Sequence, residues 1–229
     1  MKNKVLFKEM LELQDSFNKV VHPEWKEQNF DWVTAILTES AEAIDELGTW
    51  KWWKSGEDNI TNFKNEIVDI WHFVMSYNLS VSDGVSDALV EMFDDVYNID
   101  DAMNEELETT LIEHLQMMNM HLLNSKYRGE NIEDFSSAMI ELIYHLFAVM
   151  KKVQIDSVDE LYKLYSCKNV LNAFRQANGY KEGTYRKLWI GTDGKKYDDS
   201  LMAYEIFDSV ETEDKFKGLY SALELAYSK

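Results

Sequence analysis

Two pairs of carboxylates stand out by their spacing. Glu39 and Glu42 lie three residues apart, as do Glu66 and Asp69, and residues three apart on a helix share one face. In a chain this acidic such pairs recur by chance, so their surroundings decide what they mean. Glu39 and Glu42 border the apolar stripe Val33, Ile36, Leu37, Ile44 and Leu47, which suits an ordinary solvated face. Glu66 and Asp69 are embedded in Phe63, Ile67, Val68, Ile70, Trp71, Phe73, Val74 and Met75, a run apolar nearly all the way round. Carboxylates on such a helix cost on the order of several kcal/mol each unless a cation or a hydrogen-bond network compensates. Two antiparallel helices, each giving a pair, would form an all-oxygen cluster of the kind hard cations prefer. Mg²⁺ in particular completes its octahedron with waters and substrate phosphates.

The complementary charge lies downstream. The chain carries a net charge of −19, yet Lys163 to Lys196 holds eight basic residues against two acidic ones, Glu182 and Asp193. Lys168, Asn172 and Arg175 are spaced i, i+4, i+7 on one helical face, with Tyr180 and Lys187 just beyond the helix. Arg grips phosphate oxygens bidentately and Lys acts as a point charge. Together with the acids these parts describe metal-assisted attack on a nucleoside polyphosphate. On charge alone, an equal reading is that the segment neutralises acidic helices through surface ion pairs.

The elements that must position these groups are helices. Apolar periodicity predicts them near 2–19, 32–47, 60–79, 85–99, 105–125, 133–153, 158–178 and 213–227. Ser157 with Glu160 has capping-box spacing, and Gly179 after Asn178 suits a left-handed helix stop. Gly48 to Asp58 breaks the pattern and places Trp50, Trp52 and Trp53 in a loop; the plainest expectation is that these indoles pack beneath it as a satellite core. Residues 80–130 read as acidic helices without evident chemistry, and Tyr127 to Glu130 reads as a connection.

Composition bounds the rest. With 45% hydrophobic residues the chain can bury a sizeable core, while one Pro and nine Gly leave little turn chemistry for a many-stranded fold. Composition favours helices and leaves one large domain or two fused halves open; the expectation taken is a single all-α helical bundle, 1–229, with 80–130 as a variable helical region within it. The single cysteine excludes an internal disulfide and fits a reducing, cytoplasmic setting. The acidic balance argues against general nucleic-acid binding and against anionic membranes. Lys4, Lys8, Glu9 and Glu12 interrupt the amino-terminal apolar residues, which spoils a signal segment or a membrane span.

Several motifs in order carry a resemblance: Leu13-Gln14-Asp15-Ser16-Phe17-Asn18, Glu39-x-x-Glu42, Trp50-Lys51-Trp52-Trp53-Lys54, Glu66-Ile-Val-Asp69-Ile-Trp-His72-Phe73, and Lys168-Asn169-x-x-Asn172-x-Phe174-Arg175-Gln176-x-Asn178-Gly179-Tyr180-Lys181. This set resembles the dimeric dUTPases, all-α nucleoside triphosphate pyrophosphohydrolases of some bacteria, their phages and trypanosomatid parasites. The resemblance implies an all-α bundle of that type with additional helices, a homodimer, and hydrolysis of dUTP to dUMP and pyrophosphate by water held on Mg²⁺ ions. It implies that Glu39, Glu42, Glu66 and Asp69 bind the metal; of these, Glu39 is expected to accept the proton of the attacking water. Gln14, Asn18, Trp53, His72 and Asn172 would then meet the nucleoside, and Lys168, Arg175, Tyr180 and Lys187 the phosphates. Gln14 with Asn18 is also compatible with a solvated helix face, and His72 with a packed core histidine.

Three other readings remain open on sequence: a sister pyrophosphohydrolase acting on dCTP or a broader set of nucleotides; a di-iron bundle, which wants two Glu-x-x-His copies where Asp69-x-x-His72 offers one approximate copy; and a helical interaction protein, for instance one that binds a repressor through residues 80–130.

Overall fold

The computed structural model describes residues 2–82, 84–99, 109–127, 132–191, 193–210 and 215–228. Among them the chain is all-α: helices α1 (Lys2–Val21), α2 (Trp32–Glu46), α3 (Ile60–Val81), α4 (Asp87–Tyr97), α5 (Leu111–Tyr127), α6 (Ile132–Lys152), α7 (Val158–Ala177), α8 (Asp199–Ser209) and α9 (Lys215–Tyr227), with a short 3₁₀ turn at Trp25–Glu27. Strands β1 (Leu188–Ile190) and β2 (Lys196–Asp198) form one antiparallel hairpin, Trp189 opposite Tyr197. The periodic segments therefore appear as helices, within a few residues at each end. The start of the helix expected at 105–125, the connection at Arg128 to Glu130 and the start of that at 213–227 fall partly outside the described residues. Helix α8 and the hairpin were not expected from periodicity. No described helix is long and apolar enough to cross a membrane.

Local signals account for the ends that matter. The Asp31 carboxylate accepts from Thr34 N and caps α2, and the Asn59 side chain accepts from Asn62 N and caps α3. Ser157 caps α7 by accepting from Glu160 N. At its other end Gly179 has a φ of +86°, and a Cβ there would lie 2.1 Å from Thr184 Oγ1, so the stop depends on glycine.

Two hydrophobic clusters meet along α7. The larger joins Phe7, Met10 and Leu11 of α1 to Trp71 of α3, Phe93 of α4, Phe147 of α6 and the first half of α7, through Leu161 and Tyr165. The second half of α7, with Leu171 and Phe174, packs on Trp189, Ala203, Phe207, Leu219 and Leu223 from the hairpin, α8 and α9. Each buried aromatic or Leu in these clusters is worth about 1.5–3 kcal/mol in transfer terms. α7 thus presents its basic face between the α2–α3 pair and the carboxy-terminal elements.

Candidate active site

Helices α2 and α3 pack side by side and are tied at one end by the bridge between Leu47 and Asp58 and by Asn59 N donating to Glu46 O at 2.9 Å. The loop between them closes tightly. A Cβ on Gly48 would sit 2.4 Å from Glu57 O, so only glycine fits that crossing. Lys51 is buried, and its Nζ donates to the Asp45 carbonyl at 2.7 Å and pairs with the Asp45 carboxylate. Trp50 Nε1 donates to Ile44 O at 2.9 Å. Both side chains thereby satisfy carbonyls left over at the end of α2. The indoles do not form a satellite core, contrary to the sequence expectation: Trp52 is 88% exposed and Trp53 55%. Only Lys51 turns inward; Trp50 caps from the surface at 39% exposure, and the following two side chains face out.

The helix pair brings three acids together. One carboxylate oxygen from each of Glu39, Glu42 and Glu66 lies within 4.8 Å of the others. Asp69, one turn beyond Glu66, takes Lys168 Nζ at 2.8 Å. These acids are less deeply buried than the apolar run around Glu66 suggested, because the α2–α3 groove opens onto a cleft: Glu42 is exposed and the other three are half-buried. Burial, followed by the negative charges of Asp69, Glu42 and Glu66, pushes Glu39 up to about 8, and a hydrogen bond to Glu66 helps hold its proton. Burial and Asp69 also raise Glu66, against the pull of Lys168. A cluster that drives its own members to take up protons is short of positive charge, and an all-oxygen donor set suits a hard divalent cation. The residues therefore fit such an ion.

The same cleft, of about 370 Å³, is lined by Glu39, Glu42, Glu66 and Asp69 on one wall and by Lys168, Arg175, Tyr180 and Lys187 on the other. Eight of the thirteen residues singled out from sequence thus share one site. Arg175 is held more firmly than sequence suggested. Its Nε and Nη2 grip the two oxygens of Asp199 at 2.8 and 2.7 Å, its Nη1 donates to Asn172 Oδ1 at 3.0 Å, and Tyr180 lies beneath its guanidinium. Asp199 is fully buried, and Tyr185 OH donates to it at 2.8 Å. Burial opposes the charge on Arg175, but the bonds to Asp199 raise its pKa on balance.

Gln14, Asn18, Trp53, His72 and Asn172 do not line this cleft. Gln14, Asn18 and His72 are buried together behind α3, where Gln14 Nε2 donates to Asn18 Oδ1 and Ser76 Oγ, both at 3.0 Å. That leaves Gln14 Oε1 to accept from His72 Nδ1 at 2.8 Å. The pair is therefore not a solvated face. Burial pulls His72 down to about 4, so the ring is neutral at neutral pH, and its Nε2 is buried without a hydrogen-bond partner among the described residues. Tyr165 completes this network, donating to Met10 O at 3.0 Å and accepting from Asn169 Nδ2 at 3.0 Å.

Sequence reading missed Asp199, Ser200, Asn65 and Tyr165. The run Asp198-Asp199-Ser200 is a helix-start signal, since Asp198 caps α8 by accepting from Ser200 N. Nothing local, however, links Asp199 to an arginine on another helix.

An acidic wall facing a cationic wall inside an all-helical bundle suits the all-α nucleoside triphosphate pyrophosphohydrolases, and the family match places the chain in that class. The family model described as dUTPase matches residues 6–180, more than half of the chain, and the chain belongs to that family. No curated protein matches it. Family membership assigns dUTP diphosphatase activity and the use of a divalent metal.

Proposed function

We propose that the cleft hydrolyses dUTP to dUMP and pyrophosphate with Mg²⁺ as its ion, held by Glu39, Glu42, Glu66 and Asp69. The observation that carries this reading is the opposition of three converging carboxylates to Lys168, Arg175 and Lys187 across one cleft. Bound Mg²⁺ supplies charge neutralisation on the phosphates and lowers the pKa of water. Water attacks the α-phosphorus in line, the new P–O bond forms as the bond to the bridging oxygen breaks, and pyrophosphate leaves. Glu39, at the meeting of α2 and α3 beside Glu42 and Glu66, accepts the proton of the attacking water. Lys168 and Lys187 meet phosphate oxygens as point charges, while Asp199, Ser200 and Asn172 fix the plane of Arg175 and leave one Nη1–H for the substrate.

Gln14, Asn18, His72, Asn172 and Trp53 serve the nucleoside. The match to the dUTPase family favours dUTP over the dCTP reading. The chain acts as a homodimer in the cytoplasm, as its resemblance to the dimeric dUTPases implies. The deciding assay incubates purified protein and Mg²⁺ with dUTP, dCTP and dTTP in turn and identifies products. Glu66→Gln should leave a folded chain with dUTP turnover reduced by about a hundredfold or more; unchanged turnover would remove the assignment.

A further inference from the structure

Three of the five histidines of this chain converge outside the acidic cleft. One donor atom from each of His121 on α5 and Glu141 and His145 on α6 lies within 4.8 Å of the others. Glu141 and His145 are spaced i, i+4 on α6, so they share a face, and the His121 and His145 rings stack at 5.7 Å with planes 23° apart. His114, one heptad before His121 on α5, places its Nδ1 3.1 Å from His145 Nδ1. One of these two nitrogens donates and the other accepts. With His145 as the donor, its Nε2 keeps the lone pair a metal needs. An imidazole whose second nitrogen is fixed by a hydrogen bond is the usual way a ligating histidine is oriented.

We propose that His121, Glu141 and His145 form a binding site for a borderline transition-metal ion, Zn²⁺ in the first instance, with His114 orienting His145. Two imidazoles and a carboxylate suit Zn²⁺, whereas the four acids of the cleft suit Mg²⁺. Three ligands at zinc distances of about 2.0–2.1 Å in tetrahedral array lie roughly 3.3 Å apart, so modest rotations of the half-buried His121 and the exposed Glu141 close the site. The ion would clamp α5 to α6. It would also brace the back of α2, since Asn119, two residues before His121, has its Oδ1 3.1 Å from Ser40 Oγ, beside Glu39.

The test uses the untagged full chain in excess Mg²⁺, which occupies the oxygen cluster. Co²⁺ is titrated in while its visible absorption is followed, Zn²⁺ is used to displace it, and bound metal is measured after dialysis. The wild type and Glu66→Gln should each retain one equivalent of Zn²⁺ and melt at a higher temperature with it. His121→Ala and Glu141→Gln, checked for native circular dichroism, should each weaken Zn²⁺ binding by about a hundredfold. Glu141 is exposed, so its replacement keeps the test open should the histidine variant fail to fold. Zinc uptake that both variants leave unchanged, uptake that Glu66→Gln abolishes, or no uptake by the folded wild type would overturn the proposal and leave the cluster as packed polar side chains.

Discussion

Replacing Glu39 by Gln should make the metal-free protein more stable while removing its activity. A carboxyl pushed from its ordinary 4.5 up to about 8 would cost the folded state roughly 5 kcal/mol at alkaline pH if water did not reach it, at about 1.4 kcal/mol per pH unit. Glu39 is half-buried, so solvent screening brings the figure down to about 1–2 kcal/mol. The sign follows from proton uptake. Between the two pKa values the folded chain holds the proton more tightly than the unfolded chain, so stability is complete below 4.5 and is lost as pH rises toward 8. Glutamine keeps the shape without the charge, and its advantage should therefore be absent near about pH 4 and reach about 1–2 kcal/mol by about pH 8.5. Urea unfolding in EDTA, followed by circular dichroism across that range, measures it. Millimolar Mg²⁺ should reverse the order, because a cation bound to the folded cluster stabilises the wild type more than the variant. An advantage that does not change with pH, or a variant less stable than the wild type throughout, would refute the view that Glu39 is forced against its neighbours.

Other outcomes can be stated briefly. Asp199→Asn strands the buried Arg175 charge and should cost about 3–5 kcal/mol in urea unfolding, since the pair is bidentate and both partners are buried. His72 and His114, each held by burial at about 4 against an ordinary 6.5, keep their full contribution above 6.5 and lose it as pH falls toward 4. Acid unfolding should therefore begin in that window, with a shallower slope in His72→Gln. Trp53→Ala should leave the melting temperature unchanged, because the ring is 55% exposed, and should raise KM for dUTP; an unchanged KM would take Trp53 out of the nucleoside site.

The helices were legible because their stripes are strong and their caps conventional: Asp31, Asn59 and Ser157 sit where the periodicity starts. The acidic and basic walls were legible through spacing, and motif resemblance supplied their roles. What escaped depends on contacts that leave no periodic trace. α8 follows a Gly- and Lys-rich stretch that reads as loop, and Asp199 meets Arg175 across 24 residues of sequence. The outward Trp52 was missed because size alone suggested burial, while the cap made by Lys51 dictated the loop. The histidines of α5 and α6 were passed over because one heptad on one helix and one turn on another mean nothing until the two helices are laid together.

That α7 serves both clusters has a consequence for how the chain is made. Tyr165 reaches back to Met10, and Arg175 reaches forward to Asp199. In a nascent chain α3 and α4 can cover part of the apolar face of α1 early, but the part that packs on α7 stays open until α7 leaves the ribosome, and Arg175 then waits for α8 before its charge is matched. Although helical, the molecule closes through contacts distant in sequence, which slows folding relative to a bundle of neighbouring helices. Its first helix is therefore completed by one of the last helices to be made.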